Sequence, residues 1–232
     1  MPDGDAMDIR HEDGVAMMMA MTVTLLISAL GAALVLATSS EALIASNFRD
    51  QAESVYAAEA ALERALDDLA LAESWNAVLN GMMRSTFVDG APAGTRMLVD
   101  GSRIDLGQVI NMADCGKIAP CTDADMDAVT PQRPWGPNNP RWQLYAYGRV
   151  MNLLPDRTID SPYYATVLVG DDPSETDAKP LEDGAAGVGA GVVTLRAEAF
   201  GPRGVHRSVE MTVARPAAGQ PGLRALSWRE VQ

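Results

Sequence analysis

The pattern of apolar and polar positions changes abruptly at Gly14. A short polar segment precedes this glycine, and the sequence from Val15 to Ser40 contains no charged residue. A helix rises 1.5 Å per residue, so about 20 apolar residues cross a hydrocarbon core of about 30 Å. A cleaved secretory signal has an apolar region of only about 7–15 residues. The pattern therefore predicts a transmembrane helix over residues 15–40.

The helical pattern continues beyond the apolar run. No glycine or proline interrupts residues 41–73, which are rich in alanine. We expect a helical extension over residues 41–80 that ends at Asn80 and Gly81, where the glycine can adopt the left-handed conformation of a helix end. Spacings of three and four predict one apolar packing stripe on this extension, formed by Phe48, Ala52, Val55, Leu62, Leu66 and Leu69.

Glu59 stands where that stripe would continue, within the segment Ala57-Ala58-Glu59-Ala60-Ala61-Leu62. One interpretation places Glu59 at the edge of the stripe with its carboxylate in water. The other is a buried carboxylate that is paired across a subunit or domain contact, since an unpaired buried charge is costly. The sequence leaves both open.

After Gly81 the sequence is rich in turn residues and short β-type runs. We expect an antiparallel β-rich domain over residues 81–214 and a loose tail over residues 215–232. The fold class is therefore α+β, a long N-terminal helix packed on an antiparallel sheet. The predicted strands comprise a hairpin around Asp100-Gly101, residues 142–151 and 163–169, and a hairpin of residues 192–200 and 205–214 around residues 201–204.

Alternation in the last hairpin predicts one buried face and one wet face. Val193, Leu195, Ala197 and Ala199 belong to the buried face. The wet face carries Thr194, Arg196, Glu198 and His206.

Residues 111–141 resemble a long loop that contains both cysteines. Cys115 and Cys121 lie close together in sequence, which predicts a disulfide in an exported domain. Two thiolates without a neighbouring histidine leave a zinc site incomplete, so we expect no metal centre.

Two acidic clusters bear on calcium binding. Asp123, Asp125 and Asp127 have the spacing that begins a calcium loop, but Ala128 and Pro134 stand where that loop needs glycine and glutamate. The second cluster is Asp171, Asp172, Glu175 and Asp177. We interpret both as solvated acidic loops, and calcium binding stays open.

Charge and composition argue against other function classes. The 232 residues carry a formal net charge of −13 and no basic stripe, which is unlike a nucleic-acid-binding surface. The two histidines, His11 and His206, suggest no nucleophile–histidine–carboxylate set, and no glycine-rich phosphate loop opens a helix. We therefore expect a protein that is not an enzyme and uses no cofactor.

Two motifs carry a family resemblance. The segment Gly14-Val15-Ala16-Met17, followed by a long apolar helix and then by Ala57-Ala58-Glu59-Ala60-Ala61-Leu62, resembles the N-terminal region of type IV pilus minor pilins of the PilX kind. Between them lies Ser46-Asn47-Phe48-Arg49-Asp50-Gln51-Ala52, which is similar to the middle segment of that group. The resemblance covers roughly residues 10–70.

The resemblance implies a leader of residues 1–14 that an inner-membrane prepilin peptidase removes after Gly14, with methylation of the new Val15 amine. It implies a single-pass precursor in the inner membrane with a periplasmic C-terminus, which later joins a pilus at the cell surface. Its partners would be other pilins and pilus assembly proteins. The helix-packing residues would be Met17, Met18, Met19, Leu25, Leu26, Leu30, Leu34 and Glu59.

The chain departs from the pilin pattern at two places. Met19 stands at the fifth mature position, where major pilins have a glutamate, which favours a tip or initiation role. Glu12 and Asp13 precede the glycine where a basic residue is usual. Two alternatives remain open: a pseudopilin of type II secretion, and a periplasmic binding domain that keeps an uncleaved signal anchor.

Overall fold

The protein has the predicted α+β architecture, a long apolar N-terminal helix and an antiparallel sheet. A computed structural model describes residues 9–154, 156, 158–216 and 222–231. The helices are α1 (Ile9–Ala70), α2 (Trp75–Leu79), α3 (Leu106–Cys115) and α4 (Asp123–Asp127). The chain divides into two compact units, one ending at Arg49 and one beginning at Asp50.

The second unit is built on a five-stranded meander in which every strand pairs with its neighbour in sequence. The strands of the meander are β3 (Gln143–Arg149), β4 (Tyr164–Asp171), β5 (Val192–Phe200), β6 (His206–Ala214) and β7 (Arg224–Val231). Their spatial order is β3-β4-β5-β6-β7, and all pairs are antiparallel. A separate two-stranded hairpin consists of β1 (Thr95–Met97) and β2 (Arg103–Asp105).

One face of the sheet packs on the C-terminal part of α1, and small side chains make the contact. Ala58, Ala61 and Ala65 are fully buried and share a core with inner-face residues of β4, β5 and β6, such as Val167, Leu195 and Val209. Alanine lets the helix backbone approach the sheet closely, so many weak dispersion contacts form over a short distance. The buried face of α1 comprises Ser54, Ala57, Ala58, Ala61, Leu62, Ala65 and Leu69.

The predicted stripe on α1 is therefore rotated from the observed one. Val55 and Leu66 are only half-buried and flank the core, while Phe48, which lies in the first unit, is exposed. The prediction favoured the larger side chains, whereas the close contact selects the alanines beside them. Leu62 and Leu69 belong to both sets.

The last hairpin confirms the predicted alternation on its inner face. Val193, Leu195, Ala197 and Ala199 are buried against α1 and α2. The predicted wetness of the opposite face is wrong at Glu198, which is buried as well. Its carboxylate binds Arg196 Nε at 2.7 Å and His206 Nε2 at 2.9 Å, and these partners offset the cost of burial.

The opposite face of β3 and β4 carries a second core. Leu106, Val109 and Ala113 of α3 pack there with Leu98 and with strand residues such as Leu168. Asp105 caps the start of α3 by accepting a hydrogen bond from the Gln108 backbone N–H. The sheet of the second unit is thus covered on both faces at its β3–β4 end.

The predicted continuous helix to residue 80 is wrong. Helix α1 ends at Ala70, and the short helix α2 begins after Ser74, whose hydroxyl accepts a hydrogen bond from the Ala77 N–H. No glycine or proline marks the break; the turn instead directs Trp75 and Leu79 into the core. Gly81, with φ +74°, follows α2 as predicted.

Two other boundaries differ from the sequence prediction. Residues 111–141 are not one loop, because they include the end of α3 and the whole of α4. The tail predicted to be loose from Arg215 contains β7, which pairs with β6 along residues 224–231. An exposed edge strand buries little apolar surface, so its sequence lacks the alternation that identifies half-buried strands.

We predict that Ala61→Leu destabilises the second unit. The added side chain has no space at a fully buried contact, and overpacking costs about 1–3 kcal/mol. At about 2–4 °C per kcal/mol, the midpoint of thermal unfolding should fall by about 2–12 °C. Near-UV circular dichroism of the full-length protein in detergent micelles measures this midpoint.

Ala70→Leu is the matched control, because Ala70 ends the same helix in an exposed position. Its melting midpoint should stay within about 1 °C of the parent protein, as exposed substitutions usually change stability little. An equal change in both variants would contradict the close contact at Ala61.

Candidate functional site

The N-terminal part of α1 is apolar on every side. Its large side chains from Val15 to Leu36 are 52–71 % exposed. Met17, Met18 and Met19 follow one another at 100° steps and so point in three directions. A helix that is apolar all round requires an apolar environment, and this chain's described residues do not supply one. The exposed set contains every predicted packing residue of this segment: Met17, Met18, Met19, Leu25, Leu26, Leu30 and Leu34.

Five hydroxyl side chains in this part of α1 donate to backbone carbonyls of the same helix. Thr22 donates its hydroxyl proton to the Met19 carbonyl at 2.9 Å, and Thr24 donates to the Ala20 carbonyl at 2.7 Å. Thr38, Ser39 and Ser40 donate to carbonyls three or four residues earlier. With such bonds, a hydroxyl group keeps a hydrogen-bond partner in surroundings that offer no water.

Helix α1 is long and apolar enough to cross a membrane. Between Gly14 and Ala70 it contains a strongly apolar stretch, and none of that stretch is buried against the described part of the chain. These properties are compatible with a single-pass membrane anchor or with a signal sequence.

The two predicted processing residues lie near the start of α1. Gly14 is exposed, and a Cβ added to it would meet no atom within 4 Å. Val15 is exposed as well. Most of the predicted leader, residues 1–8, lies outside the described residues.

Polar contacts hold the start of the second unit's helical segment to the sheet. The Tyr163 hydroxyl donates to the Asp50 carbonyl at 2.8 Å. The Asp50 carboxylate forms an ion pair with Arg203, in the turn between β5 and β6. Arg207 donates to the Gln51 side chain at 2.9 Å. These contacts attach the first turn of this segment to the sheet.

A second attachment lies about five turns further along α1. The Asp68 carboxylate accepts hydrogen bonds from the hydroxyls of Ser85 and Thr86 and from the Thr86 N–H, and it pairs with Arg64 at 3.2 Å. Burial alone would raise the pKa of Asp68, but these hydrogen bonds outweigh burial and lower that pKa below its ordinary value. The same segment bonds to β3 through the Ser85 N–H and the Tyr145 carbonyl at 3.0 Å.

Glu59 is half-buried at the edge of the alanine face, which agrees with the first of its two interpretations. It borders an open cleft of about 520 Å³ that Ala60, Leu62 and Glu63 share. Met211 of β6 and Trp228 of β7 complete the lining. The sequence pattern does not predict this cleft, because the cleft depends on β7, which lies in the segment predicted to be a loose tail.

The predicted disulfide between Cys115 and Cys121 is present. It joins the end of α3 to the segment before α4. The cluster of Asp123, Asp125 and Asp127 forms α4 instead of a calcium loop. Thr122 and Asp125 make a reciprocal capping box. Among the described residues, no group of three or more histidine, cysteine or carboxylate side chains is arranged to hold a metal ion.

A cavity of about 560 Å³ lies beside this disulfide. The sequence pattern does not predict it either. Its lining includes Asp114, Cys121, Arg141, Trp142 and Leu181. Burial raises the pKa of Asp114 to about 6, although the Trp142 N–H donates to its carboxylate at 2.8 Å. The cavity has mixed charge and no feature that selects one ligand class.

The second acidic cluster is partly buried, contrary to the expectation of a solvated loop. Asp171 is 3 % exposed and Glu175 is 6 % exposed. Burial, followed by the nearby Glu175 carboxylate, raises the pKa of Asp171 to about 8. Asp171 Oδ1 has no hydrogen-bond partner among the described residues. This arrangement favours the protonated carboxyl group.

His206 is exposed on the outer face of the sheet, as predicted. Its ring stacks on Phe200 with centroids 4.6 Å apart, and it contacts the buried Glu198. The other histidine of the sequence, His11, lies where the structure describes no side chain. His206 therefore acts as a partner of a structural carboxylate.

No protein-family model matches the chain, and comparisons with curated proteins and with solved structures give no match. The functional interpretation therefore rests on the sequence motifs and on the geometry of the residues.

We predict that Asp171→Asn stabilises the protein more at pH 8.5 than at pH 5. The folded state holds a proton on Asp171 up to about pH 8, whereas the unfolded state releases it near pH 3.8. Folding stability from this group is thus complete below about pH 4 and falls as the pH rises to about 8. The amide cannot ionise, so the melting midpoint should rise by about 3–8 °C at pH 8.5.

Thermal unfolding at both pH values measures this difference. Asp160→Asn, at an exposed position, removes the same charge and should change the midpoint by less than about 1 °C at either pH. A lower midpoint for Asp171→Asn at pH 8.5 would show that the ionised carboxylate stabilises the fold.

Proposed function

We propose that this protein is a minor pilin-like structural subunit of a type IV pilus. It enters the inner membrane through α1, loses its leader after Gly14, and joins a filament or its initiating complex by helix packing. The observation that carries this proposal is the unpartnered apolar surface of α1 between Val15 and Leu36, on a helix that also forms the core of a sheet domain.

The physical argument starts from the cost of leaving the bilayer. An apolar surface of this length is stable in hydrocarbon and unstable in water. A subunit with one such helix can be extracted only if neighbouring helices cover the same surface. A bundle of like helices in a filament core provides that cover, so assembly and extraction become one process.

The polar attachments of α1 support the same function. Asp50 and Gln51 bond to the sheet domain, and Asp68 bonds to the segment at the edge of β3. A force applied to the apolar part of the helix would reach the domain through these contacts. A plain membrane anchor is more often followed by a flexible linker.

The neutral side chain of Met19 favours a tip or initiation position. Major pilins carry a glutamate there that neutralises the N-terminal amine of a neighbouring subunit. A subunit with methionine at this position lacks that carboxylate, so it suits a place where no such neighbour follows.

The experiment is N-terminal mass spectrometry of the protein recovered from membranes and from sheared surface filaments. We expect a mature chain that begins at methylated Val15, and we expect Gly14→Asp to leave full-length precursor in the membrane. Gly4→Asp adds the same charge to the leader away from the cleavage site and should mature normally. Normal maturation of Gly14→Asp would contradict the proposal.

Localisation separates the alternatives. A chain that keeps its leader and occurs only in membranes would identify an anchored periplasmic domain. A mature chain that accumulates in the envelope, never in sheared filaments, and whose loss blocks protein secretion would identify a secretion pseudopilin.

A further inference from the structure

The two edges of the five-stranded sheet differ in how they are covered. At the β3 edge, the Tyr147 N–H donates to the Phe87 carbonyl at 2.9 Å, and Val88 forms a bridge with Tyr147. Strand β7 forms the other edge and, within the described part of the chain, pairs with β6 alone. A strand with one unpaired edge presents backbone donors and acceptors that another strand can use.

The distal half of β7 is the more regular half. The register with β6 shifts between Thr212 and Val213, which leaves Leu226 as the extra residue of a bulge. Ser227 to Val231 then pair with β6 without interruption. A charged side chain on an edge strand can discourage pairing with another strand. The charge of Arg229 is engaged with Glu210, because Nε donates to its carboxylate at 2.8 Å.

The cleft next to this regular segment has a defined chemistry. Its floor is apolar, formed by Leu62, Met211 and the half-exposed ring of Trp228. Glu59 and Glu63 supply two carboxylates at its border. The described residues give neither of these carboxylates an ion-pair partner, and the lining contains no lysine or arginine.

An aromatic ring beside unpaired carboxylates suits a long basic side chain. The methylene stem of lysine or arginine covers apolar surface, while its charged head reaches the carboxylates. A cation above a tryptophan ring is also attracted by the negative face of the ring. Trp228 pairs with Met211, so its side chain lies on the same face of the sheet as the cleft. A residue opposite Trp228 on an added strand would face the cleft too.

We propose that β7 is a strand-addition site for an extended basic segment of another protein, whose lysine or arginine occupies the cleft between α1 and β7. The backbone of that segment would pair with Ser227–Val231, and its basic side chain would pair with Glu59 and Glu63. The site lies wholly within the second unit, so it does not depend on the filament proposal.

The test uses the full-length protein in detergent micelles and a fluorescent nine-residue peptide of alternating threonine and valine with one central lysine. Fluorescence anisotropy measures the dissociation constant. We expect binding that weakens at least about tenfold in Trp228→Ala and in the double variant Glu59→Gln with Glu63→Gln, because each removes part of the cation contact. Glu73→Gln, which neutralises an exposed glutamate outside the cleft, should leave binding unchanged.

Two control peptides separate charge from strand pairing. Replacing the central lysine by glutamate should abolish binding through repulsion by Glu59 and Glu63. Methylating alternate backbone nitrogens on one edge of the lysine peptide should abolish it by blocking strand pairing. Amide hydrogen exchange should show added protection in β7 only with the unmodified lysine peptide.

Several results would overturn the proposal. They are failure of the lysine peptide to bind at 1 mM, equal binding of the lysine and glutamate peptides, and unchanged binding in the Glu59→Gln and Glu63→Gln double variant. Self-association of the protein that Trp228→Ala abolishes, in the absence of peptide binding, would assign the edge to a second copy instead. Near-UV circular dichroism confirms that each variant is folded.

Discussion

The close contact between the alanine face of α1 and the inner face of β4, β5 and β6 is the constraint on which the sheet domain depends. Ala58, Ala61 and Ala65 have no exposed surface, and a larger side chain at any of them would separate helix and sheet. Because the contact is made by atoms close to the backbone, it sets the short distance between helix and sheet. The position of α1 then decides which side chains border the cleft and where the polar attachments fall.

Polar contacts at Asp50 and Asp68 fix the position of the helix along the sheet, which an alanine surface does not do by itself. A smooth apolar contact has many nearly equivalent positions, whereas a hydrogen bond has one geometry. Tyr163, Arg203 and Arg207 fix the first point of attachment, and Ser85 with Thr86 fixes the second. For the proposed filament subunit, these two points would carry load between the membrane-length helix and the domain.

Buried carboxylates divide the sheet domain into two electrostatic regions. Glu198 is buried among Arg196 and His206; burial alone would raise its pKa, but these partners outweigh burial and lower it. Asp171 is buried near other carboxylates, so its pKa rises to about 8. The first region is stabilised by the ionised carboxylate of Glu198, and the second by the protonated carboxyl group of Asp171. The domain therefore gains stability from opposite protonation states in two places.

Features that depend on neighbours along the chain can be predicted from the sequence. The uncharged run from Val15 to Ser40, the turn at Asp100-Gly101 and the alternation from Val193 to Ala199 each follow from local periodicity or turn chemistry, and the structure agrees with them. The close spacing of Cys115 and Cys121 likewise predicted their bond.

Features that depend on partners distant in sequence follow only from the folded structure. It selected the alanine face of α1 over the larger side chains beside it, because only small residues let the helix approach the sheet. It ended α1 at Ala70 without a breaker, because Trp75 and Leu79 enter the core. It also made a strand of residues 224–231, because β6 offered an unpaired edge, and that strand in turn created the cleft at Glu59.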